Sequence, residues 1–190
     1  MPSFTLDTNC ALAIDEGRAE TVFVRALAEA HSSGRASVAI VAISASERQR
    51  GGKMLDNYSL FEERMWSLGL GHLEVLLPMC YFDVMFWDSC LWVEPDMAEL
   101  EGRIQSILFP NIPQDWPAYC QAYGIDPESN LDRRWKNAKC DVQAFWCHAY
   151  NKREVFVTSD LNFHAVNKSR LLLEIAGGRI ESPSNACSLL

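Results

Sequence analysis

The sequence predicts an α/β fold built on a parallel sheet, and three features support this prediction. Two short β-prone runs, residues 4–6 and 155–158, each lead to an aspartate and then to helix-starting residues. Residues 36–43 are nearly continuous in small and β-branched side chains, as in a strand covered on both faces. Segments of helical periodicity alternate with these runs. Because parallel strands end at one edge of a sheet, Asp7 and Asp160 are expected at the carboxyl edge, where open α/β folds bind ligands.

The first third of the chain is predicted as strand, helix, helix, strand. The first strand is followed by a helix that begins at Cys10 and is capped by Thr8 or Asn9. Residues 21–30 carry apolar side chains at helical spacing and run into a Ser-Ser-Gly stop. The strand over 36–43 then completes this part of the sheet.

The middle of the chain carries weaker signals. Helical spacing covers residues 54–69, and residues 72–78 are predicted as another short strand. Residues 79–130 are rich in aromatics and in proline breakers, with one predicted helix over 94–107 and the rest expected to be loops and one further helix. We interpret residues 79–130 as an inserted helical and loop segment of unassigned role within a single domain spanning residues 1–190.

The last third of the chain is clearer. A long helix is predicted over residues 131–151, and it feeds the strand over 155–158. A further helix over 169–176 ends at a Gly-Gly pair, and residues 179–181 are predicted as a final edge strand. The long helix has one apolar stripe, made of Trp135, Ala138, Val142, Phe145, Trp146 and Ala149.

Composition limits the classes of function. The chain has 190 residues, 48% of them hydrophobic, and a formal net charge of −8 with a pI near 5.0. This charge argues against a protein that coats nucleic acid through a broad basic surface. It does not exclude a nucleic-acid enzyme, because a cation held by carboxylates neutralises part of the charge and a few local Lys or Arg side chains can meet a phosphate backbone.

The cysteines and the N-terminus point to a cytoplasmic protein. The seven cysteines are odd in number and lack a CxxC pair, so neither a disulfide framework nor a zinc site is indicated, and reduced thiols are expected. The first residues lack the pattern of a secretory signal, and no run reaches the roughly 18 apolar residues that a membrane span needs. We therefore expect no contact with a membrane.

Four carboxylates are candidate ligands of a divalent metal, and each has a plainer interpretation. Asp7 and Asp160 can cap the helices that follow them. Glu47 closes a Ser44-x-x-Glu47 capping box. Asp141 lies at the border of the apolar stripe, where an ordinary solvated residue is common, and Asn137 precedes it by one turn. We favour one metal site because the plain interpretations must otherwise hold at all four positions.

The order and separation of these residues resemble those of the PIN domain, the metal-dependent ribonuclease fold. The resemblance covers residues 3–53 and 131–183. Its features are Leu6-Asp7-Thr8-Asn9 after the first strand, Glu47 after the second strand, Asp141 in the late helix, residues 157–163 with Asp160 and Asn162, and the stretches 167–172 and 179–183.

The resemblance implies a three-layer α/β/α sandwich around a short, mainly parallel sheet. It implies that Asp7, Glu47, Asp141 and Asp160 form an acidic pocket for Mg²⁺ or Mn²⁺, in which a metal-activated water hydrolyses RNA phosphodiesters. The polar side chains expected to support these carboxylates are Asn9, Thr158, Asn162 and Asn137. The resemblance thus implies an endoribonuclease. One form of this expectation is the toxin of a toxin-antitoxin pair, in which an antitoxin protein blocks the acidic pocket.

Basic side chains near two of the carboxylates are candidate RNA contacts. Arg48, Arg50 and Lys53 follow Glu47 closely, and Arg134 and Lys139 precede Asp141. Both groups could flank the acidic pocket and meet phosphates. Solvated helix faces are an equally weighted interpretation of the same residues.

Two other functions compete with the nuclease. A metal-dependent phosphatase of the haloacid dehalogenase kind also begins with strand and Asp, but it requires a second Asp at position 9, where this chain has Asn9. A catalytically degenerate PIN-like scaffold for RNA binding or assembly is the non-enzymatic alternative. A homodimer is a further expectation, with the aromatic residues 81–92 as the candidate surface.

Overall fold

The computed structural model of the chain describes residues 1–46, 55, 57–86 and 89–190. In these residues five strands form one sheet, and every neighbouring pair is parallel, as the sequence predicts. The strands are β1 (Ser3–Leu6), β2 (Ser37–Val41), β3 (Glu74–Leu76), β4 (Val155–Val157) and β5 (Arg179–Glu181). Their order across the sheet is β3-β2-β1-β4-β5, so β5 is an edge strand, as predicted.

Helices connect the strands and cover both faces of the sheet. They are α1 (Thr8–Glu16), α2 (Thr21–Ser32), α3 (Tyr58–Ser67), α4 (Pro95–Leu108), α5 (Trp116–Tyr123), α6 (Arg133–Tyr150), α7 (Leu161–His164), α8 (Val166–Ala176) and α9 (Pro183–Cys187). A 3-10 helix, Ala42–Ser46, follows β2 directly.

Two hydrophobic clusters lie on the two faces of the sheet, because successive side chains of a strand point to opposite faces. Phe4 and Leu6 of β1 belong to one cluster, with side chains from α1, α2, α3 and α9. Phe156 of β4 belongs to the other cluster, with side chains from α4, α6 and α8. Burial of each such aromatic or leucine side chain contributes about 1.5–3 kcal/mol. The arrangement is the predicted three-layer α/β/α sandwich.

The register of the sheet places the ends of β1 and β4 side by side. Leu6 pairs with Val157, and the backbone N–H of Asp7 donates to the carbonyl of Val157 at 3.0 Å. Thr158 continues β4 in the same way, since its N–H donates to the carbonyl of Glu181 at 3.0 Å. The residues that follow the two strands are therefore neighbours at the carboxyl edge of the sheet.

Most element predictions are confirmed, with shifts at their ends. The first helix begins at Thr8, two residues before the predicted Cys10, because Asp7 is the cap: its backbone is extended and its carboxylate accepts the N–H of Thr8. The predicted strand over 36–43 ends at Val41 and turns into the 3-10 helix. The helix predicted over 169–176 begins at Val166.

Three global expectations can be compared with the structure. All seven cysteines are free, and Cys10, Cys120, Cys140 and Cys147 are buried. Among the described residues, no helix is both long enough and apolar enough to cross a membrane. The middle segment contains α4 and α5, the two helices expected there, and α4 packs against α6.

Candidate functional site

The candidate site is centred on Asp7, which is 7% exposed at the end of β1. Its Oδ1 accepts the backbone N–H of Thr8 at 2.8 Å, so the capping interpretation is correct for this oxygen. Its Oδ2 has a separate set of partners. It accepts the Thr158 hydroxyl at 2.7 Å and the Asn9 side-chain amide at 2.5 Å. Capping therefore accounts for only one half of the carboxylate.

The hydroxyl of Thr158 joins the two strand ends. While it donates to Asp7, its Oγ1 accepts from Asn9 Nδ2 at 2.8 Å and from the backbone N–H of Asp160 at 3.0 Å. Asn9 also accepts the N–H of Ser159 at 3.1 Å through its Oδ1. Thr158 is fully buried, so these bonds hold the segment around Asp160 at a fixed position relative to Asp7.

The electrostatic environment of Asp7 is unfavourable for its charge. Burial, and to a smaller degree the negative charge of Asp160, raise the pKa of Asp7 from 3.8 to about 6, against the lowering effect of hydrogen bonds from Thr158, Thr8 and Asn9. Among the described residues, no Lys, Arg or His forms an ion pair with Asp7. The carboxylate thus has polar neighbours but no described positive one.

Asp160 follows β4 and is half-buried. Its Oδ1 accepts the N–H of Asn162 at 2.8 Å and caps α7, so capping is again a real role. The side chain of Asn162 is held in turn by the ammonium of Lys168, which also donates to the carbonyl of Leu108 at 2.8 Å. Sequence reasoning missed Lys168. Its only local signal was a basic residue six positions after Asn162, on the next helix.

Asp141 and Asn137 lie on α6 and line one cleft of about 680 Å³. Asn137 is exposed and Asp141 is half-buried. We call this space the arginine cleft; its lining residues are Phe109, Ile112, Asp132, Arg133, Arg134, Asn137, Ala138 and Asp141. Arg133 and Arg134 are exposed and form the cationic part of this lining. The carboxylate of Asp132 is engaged elsewhere, because it caps α6 and accepts the Tyr119 hydroxyl at 2.9 Å.

The structure joins only part of the predicted carboxylate set. Asp160 lies close enough to Asp7 for its negative charge to contribute to the raised pKa of Asp7. Within the described ranges, no three His, Cys, Asp or Glu side chains come together in a group that could hold a metal ion. Glu47 lies outside the described residues, as do Arg48, Arg50 and Lys53. The four-carboxylate pocket therefore stays a prediction.

Lys139, predicted to contact RNA, has a different position. Its side chain is 1% exposed, and its ammonium donates to Oε1 of Glu101 at 2.8 Å. Glu101 also accepts from Gln143 at 2.8 Å, Gln114 at 2.7 Å and the Tyr81 hydroxyl at 2.5 Å. Burial lowers the pKa of Lys139 although Glu101 acts to raise it. A phosphate cannot reach this ammonium, so the prediction for Lys139 is wrong.

Several other side chains on α6 and near the end of β4 have contacts within the protein. Trp135 is buried and donates to the carbonyl of Pro113 at 3.0 Å, as expected of a core residue. His148 is fully buried beside Thr5, and burial lowers its pKa to about 3. His164 contacts the carbonyl of Thr158 at 2.9 Å. Arg134 is exposed, with its guanidinium 5.7 Å from the centre of the Tyr123 ring.

Comparison with known proteins gives a structural likeness but no sequence match. No protein-family model matches the chain, and no curated protein matches it. Among solved structures, the chain is similar to VapBC2 from Rickettsia felis bound to a DNA fragment from their promoter. The similarity covers 95% of this chain and 98% of that chain, with 13% sequence identity and a TM-score of 0.45. At these values it is a likeness of shape that carries no conclusion about activity.

Proposed function

We propose that this chain is a divalent-metal-dependent endoribonuclease. The observation that carries the proposal is a pair of aspartates at adjacent strand ends: the buried hydroxyl of Thr158 donates to the Asp7 carboxylate and accepts the backbone N–H of Asp160. Among the described residues, no cation pairs with Asp7. A buried carboxylate with a raised pKa, such as Asp7, at the carboxyl edge of a parallel sheet is typical of functional sites.

The side chains at this edge fit Mg²⁺ or Mn²⁺. Both cations prefer carboxylate oxygens and retain several waters. A cation beside Asp7 and Asp160 would reverse the two effects that raise the pKa of Asp7, because it offsets both the burial of the charge and the neighbouring negative charge. Following the motif resemblance, we propose Glu47 and Asp141 as the remaining ligands of this site; among the described residues, Asp7, Asp141 and Asp160 do not by themselves form a group that could hold a metal ion.

The protein's own residues position the reacting groups. When bound, the metal would supply charge stabilisation at the scissile phosphate and activation of the attacking water. Asn9 and Thr158 fix the rotamer of Asp7 by their bonds to Oδ2. Lys168 and Asn162 fix the turn that carries Asp160. Holding groups in place in this way lowers the entropic part of the barrier.

The arginine cleft is the proposed path of the RNA. Arg133 and Arg134 are exposed and can contact phosphates, while Asn137 offers an amide and Asp141 lies on the same lining. Arginine is suited to phosphate because its planar guanidinium makes two parallel hydrogen bonds. We further propose, from the motif resemblance, that the nuclease is a toxin and that an antitoxin protein covers its acidic pocket.

The experiment is cleavage of a labelled, mixed-sequence, single-stranded RNA by the wild type and by Asp7→Asn. Each protein is assayed with Mg²⁺, with Mn²⁺ and with a chelator. Asp126→Asn is a matched control, because Asp126 is exposed and its role in capping a turn suits asparagine equally. Metal-dependent cutting by the wild type and the control, abolished in Asp7→Asn, supports the nuclease. Binding without cutting by all three proteins supports the scaffold.

The phosphatase alternative is tested with the same proteins. In the structure Asn9 donates its amide to Asp7, whereas the phosphatase class requires a carboxylate at this position for proton transfer. Hydrolysis of a phosphate monoester by the wild type, with RNA left intact, would reverse the order of the two proposals.

A further inference from the structure

A second cleft, of about 790 Å³, lies on the other side of α6 from the arginine cleft. The two clefts share no lining residue, and Trp135 and Lys136 face the second cleft where Arg134 and Asn137 face the first. Four aromatic residues line it, namely Tyr81, Phe82, Trp116 and Trp135, and we call it the aromatic cleft. Its volume lies in the range of sites that bind small molecules and peptide side chains.

The aromatic residues present mainly apolar surface to this cleft. The hydroxyl of Tyr81 is bonded to Glu101, and the indole N–H groups of Trp116 and Trp135 are bonded to the carbonyls of Pro127 and Pro113. The Trp116 ring also lies 5.5 Å from the Trp135 ring. These bonds hold the cleft in a preformed shape. Trp135 is 3% exposed, and the Lys139 ammonium lies over the rings of Tyr81 and Trp135 at 4.4 Å and 5.4 Å, so the ring surface open to the cleft is mainly that of Phe82 and Trp116.

The charged residues of the cleft favour a cation. Asp83, Asp115 and Glu128 are exposed carboxylates on its lining, against the single ammonium of Lys136. No ion pair among the described residues involves any of these four side chains. Carboxylates beside aromatic rings attract a cation, because the ring face and the carboxylate both carry negative potential.

We propose that the aromatic cleft binds an arginine-bearing segment of a protein partner. A guanidinium stacks on aromatic rings and pairs with a carboxylate through two hydrogen bonds, whereas an ammonium does neither so well. Single-stranded RNA also stacks on aromatic side chains, but its phosphates would meet the three carboxylates of this cleft. The proposal is independent of the nuclease function, because the cleft contains none of the residues assigned to it.

The test is a titration of the full chain with a short synthetic peptide. The probe is acetyl-Gly-Leu-Arg-Gly-Leu-Arg-Gly-amide, and the matched probe carries citrulline, which is neutral and of the same shape, in place of both arginines. Binding is followed by calorimetry and by the fluorescence of the tryptophans at low salt. We expect the arginine peptide to bind at least tenfold more tightly than the citrulline peptide.

The variants are chosen so that the fold is kept. Asp83 has a positive φ of 59°, which asparagine tolerates well, and Asp115 caps α5, a position that asparagine also fills. The double variant Asp83→Asn/Asp115→Asn should weaken the arginine peptide about tenfold. The control Glu62→Gln/Glu63→Gln removes the same charge from α3, which packs on the opposite face of the sheet, and should change the affinity less than twofold.

Each other outcome overturns the proposal. Equal affinity for the two peptides, or no binding at millimolar peptide, means that the cleft does not recognise arginine. Equal weakening by the cleft variant and by the α3 control means that only the net charge of −8 attracts the peptide. Binding of mixed-sequence RNA, measured without peptide and changed by the cleft variant but not by the α3 control, means that the cleft takes nucleic acid. Asp7→Asn should bind the peptide as the wild type does, whichever way the nuclease assay comes out.

Discussion

Asp7 and Glu101 are both buried carboxylates, but among the described residues only Glu101 pairs with a cation. Glu101 is completely buried and accepts four hydrogen bonds, one of them from the Lys139 ammonium. Asp7 is 7% exposed and accepts three from the described part of the chain, all from uncharged groups, with Asp160 as a negative neighbour. The charge of Glu101 is balanced inside the protein, whereas that of Asp7 has no such balance among the described residues.

We interpret this difference as one between a structural carboxylate and a proposed functional one. An ion pair buried at Glu101 anchors α4 to α6 and cannot exchange its cation for a ligand. A buried carboxylate without a protein cation costs stability, since charge is disfavoured at low dielectric. Folds tolerate such a cost mainly where activity needs the charge. The four predictions below test whether the two carboxylates differ in this way.

The largest effect is expected from Glu101→Gln. The substitution leaves the Lys139 ammonium buried without a counter-charge, and breaking a buried pair in this manner costs about 3–5 kcal/mol. The free energy of unfolding, measured with urea at pH 7.5, should fall by that amount. Glu99→Gln, an exposed position on the same helix, is the control and should stay within about 0.5 kcal/mol of the wild type.

A double variant shows whether charge or packing is responsible. Glu101→Met/Lys139→Met removes both charges together, and well-packed apolar replacements of buried pairs are often neutral. It should recover most of the lost stability. If Glu101→Gln alone were as stable as the wild type, the ion pair would contribute nothing and the comparison with Asp7 would fail.

The charge of Asp7 is expected to have the opposite effect on the free energy of unfolding: its ionisation destabilises the folded chain, so the effect depends on pH. The pKa of Asp7 is raised to about 6 from 3.8, so the folded chain holds this proton more tightly than the unfolded chain does. The resulting stabilisation is complete below about pH 4 and is lost as the pH rises through 6, a change of about 3 kcal/mol. Asp7→Asn lacks this dependence.

Unfolding experiments on the two proteins from pH 4 to pH 7.5, without divalent metal, measure this effect. The free energy of the wild type should fall relative to that of Asp7→Asn as the pH rises, with most of the change between pH 4 and pH 6.5. Asp126→Asn should follow the wild type. Parallel curves for Asp7→Asn and the wild type would mean that Asp7 titrates normally.

Metal binding should restore the stability of the folded state that is lost when Asp7 ionises. At a free Mg²⁺ or Mn²⁺ concentration one hundred times the dissociation constant, a ligand specific for the folded state stabilises it by about 2.7 kcal/mol. Thermal unfolding at pH 7.5 should therefore shift upward with metal in the wild type and in Asp126→Asn, and should not shift in Asp7→Asn or Asp160→Asn. An equal shift in all four proteins would place the metal elsewhere.

The sequence contained most of the local information about this edge of the sheet. Asp7 and Asp160 could be placed because each ends a short β-prone run, and parallel strands end together. Lys139 was assigned wrongly, although its spacing held a signal: it lies four residues after Trp135 and three before Val142, within the apolar stripe. Its partner Glu101 is 38 residues away, and no local pattern identifies such a contact.

The smallest effect is expected from Thr158→Val, which removes the hydroxyl shared by the two strand ends. Valine has nearly the same shape, but Asp7 loses one donor and both Asn9 and the N–H of Asp160 lose an acceptor. A net loss of about 1–2 kcal/mol is expected from such a change. The pKa of Asp7 should also rise, because the Thr158 hydrogen bond is the largest effect that lowers it.

Thr158→Ser, which keeps the hydroxyl, is the control. If the valine and serine variants matched in stability and in the pH dependence of unfolding, the hydroxyl would not link Asp7 to Asp160, and the two carboxylates would have to be treated as separate helix caps.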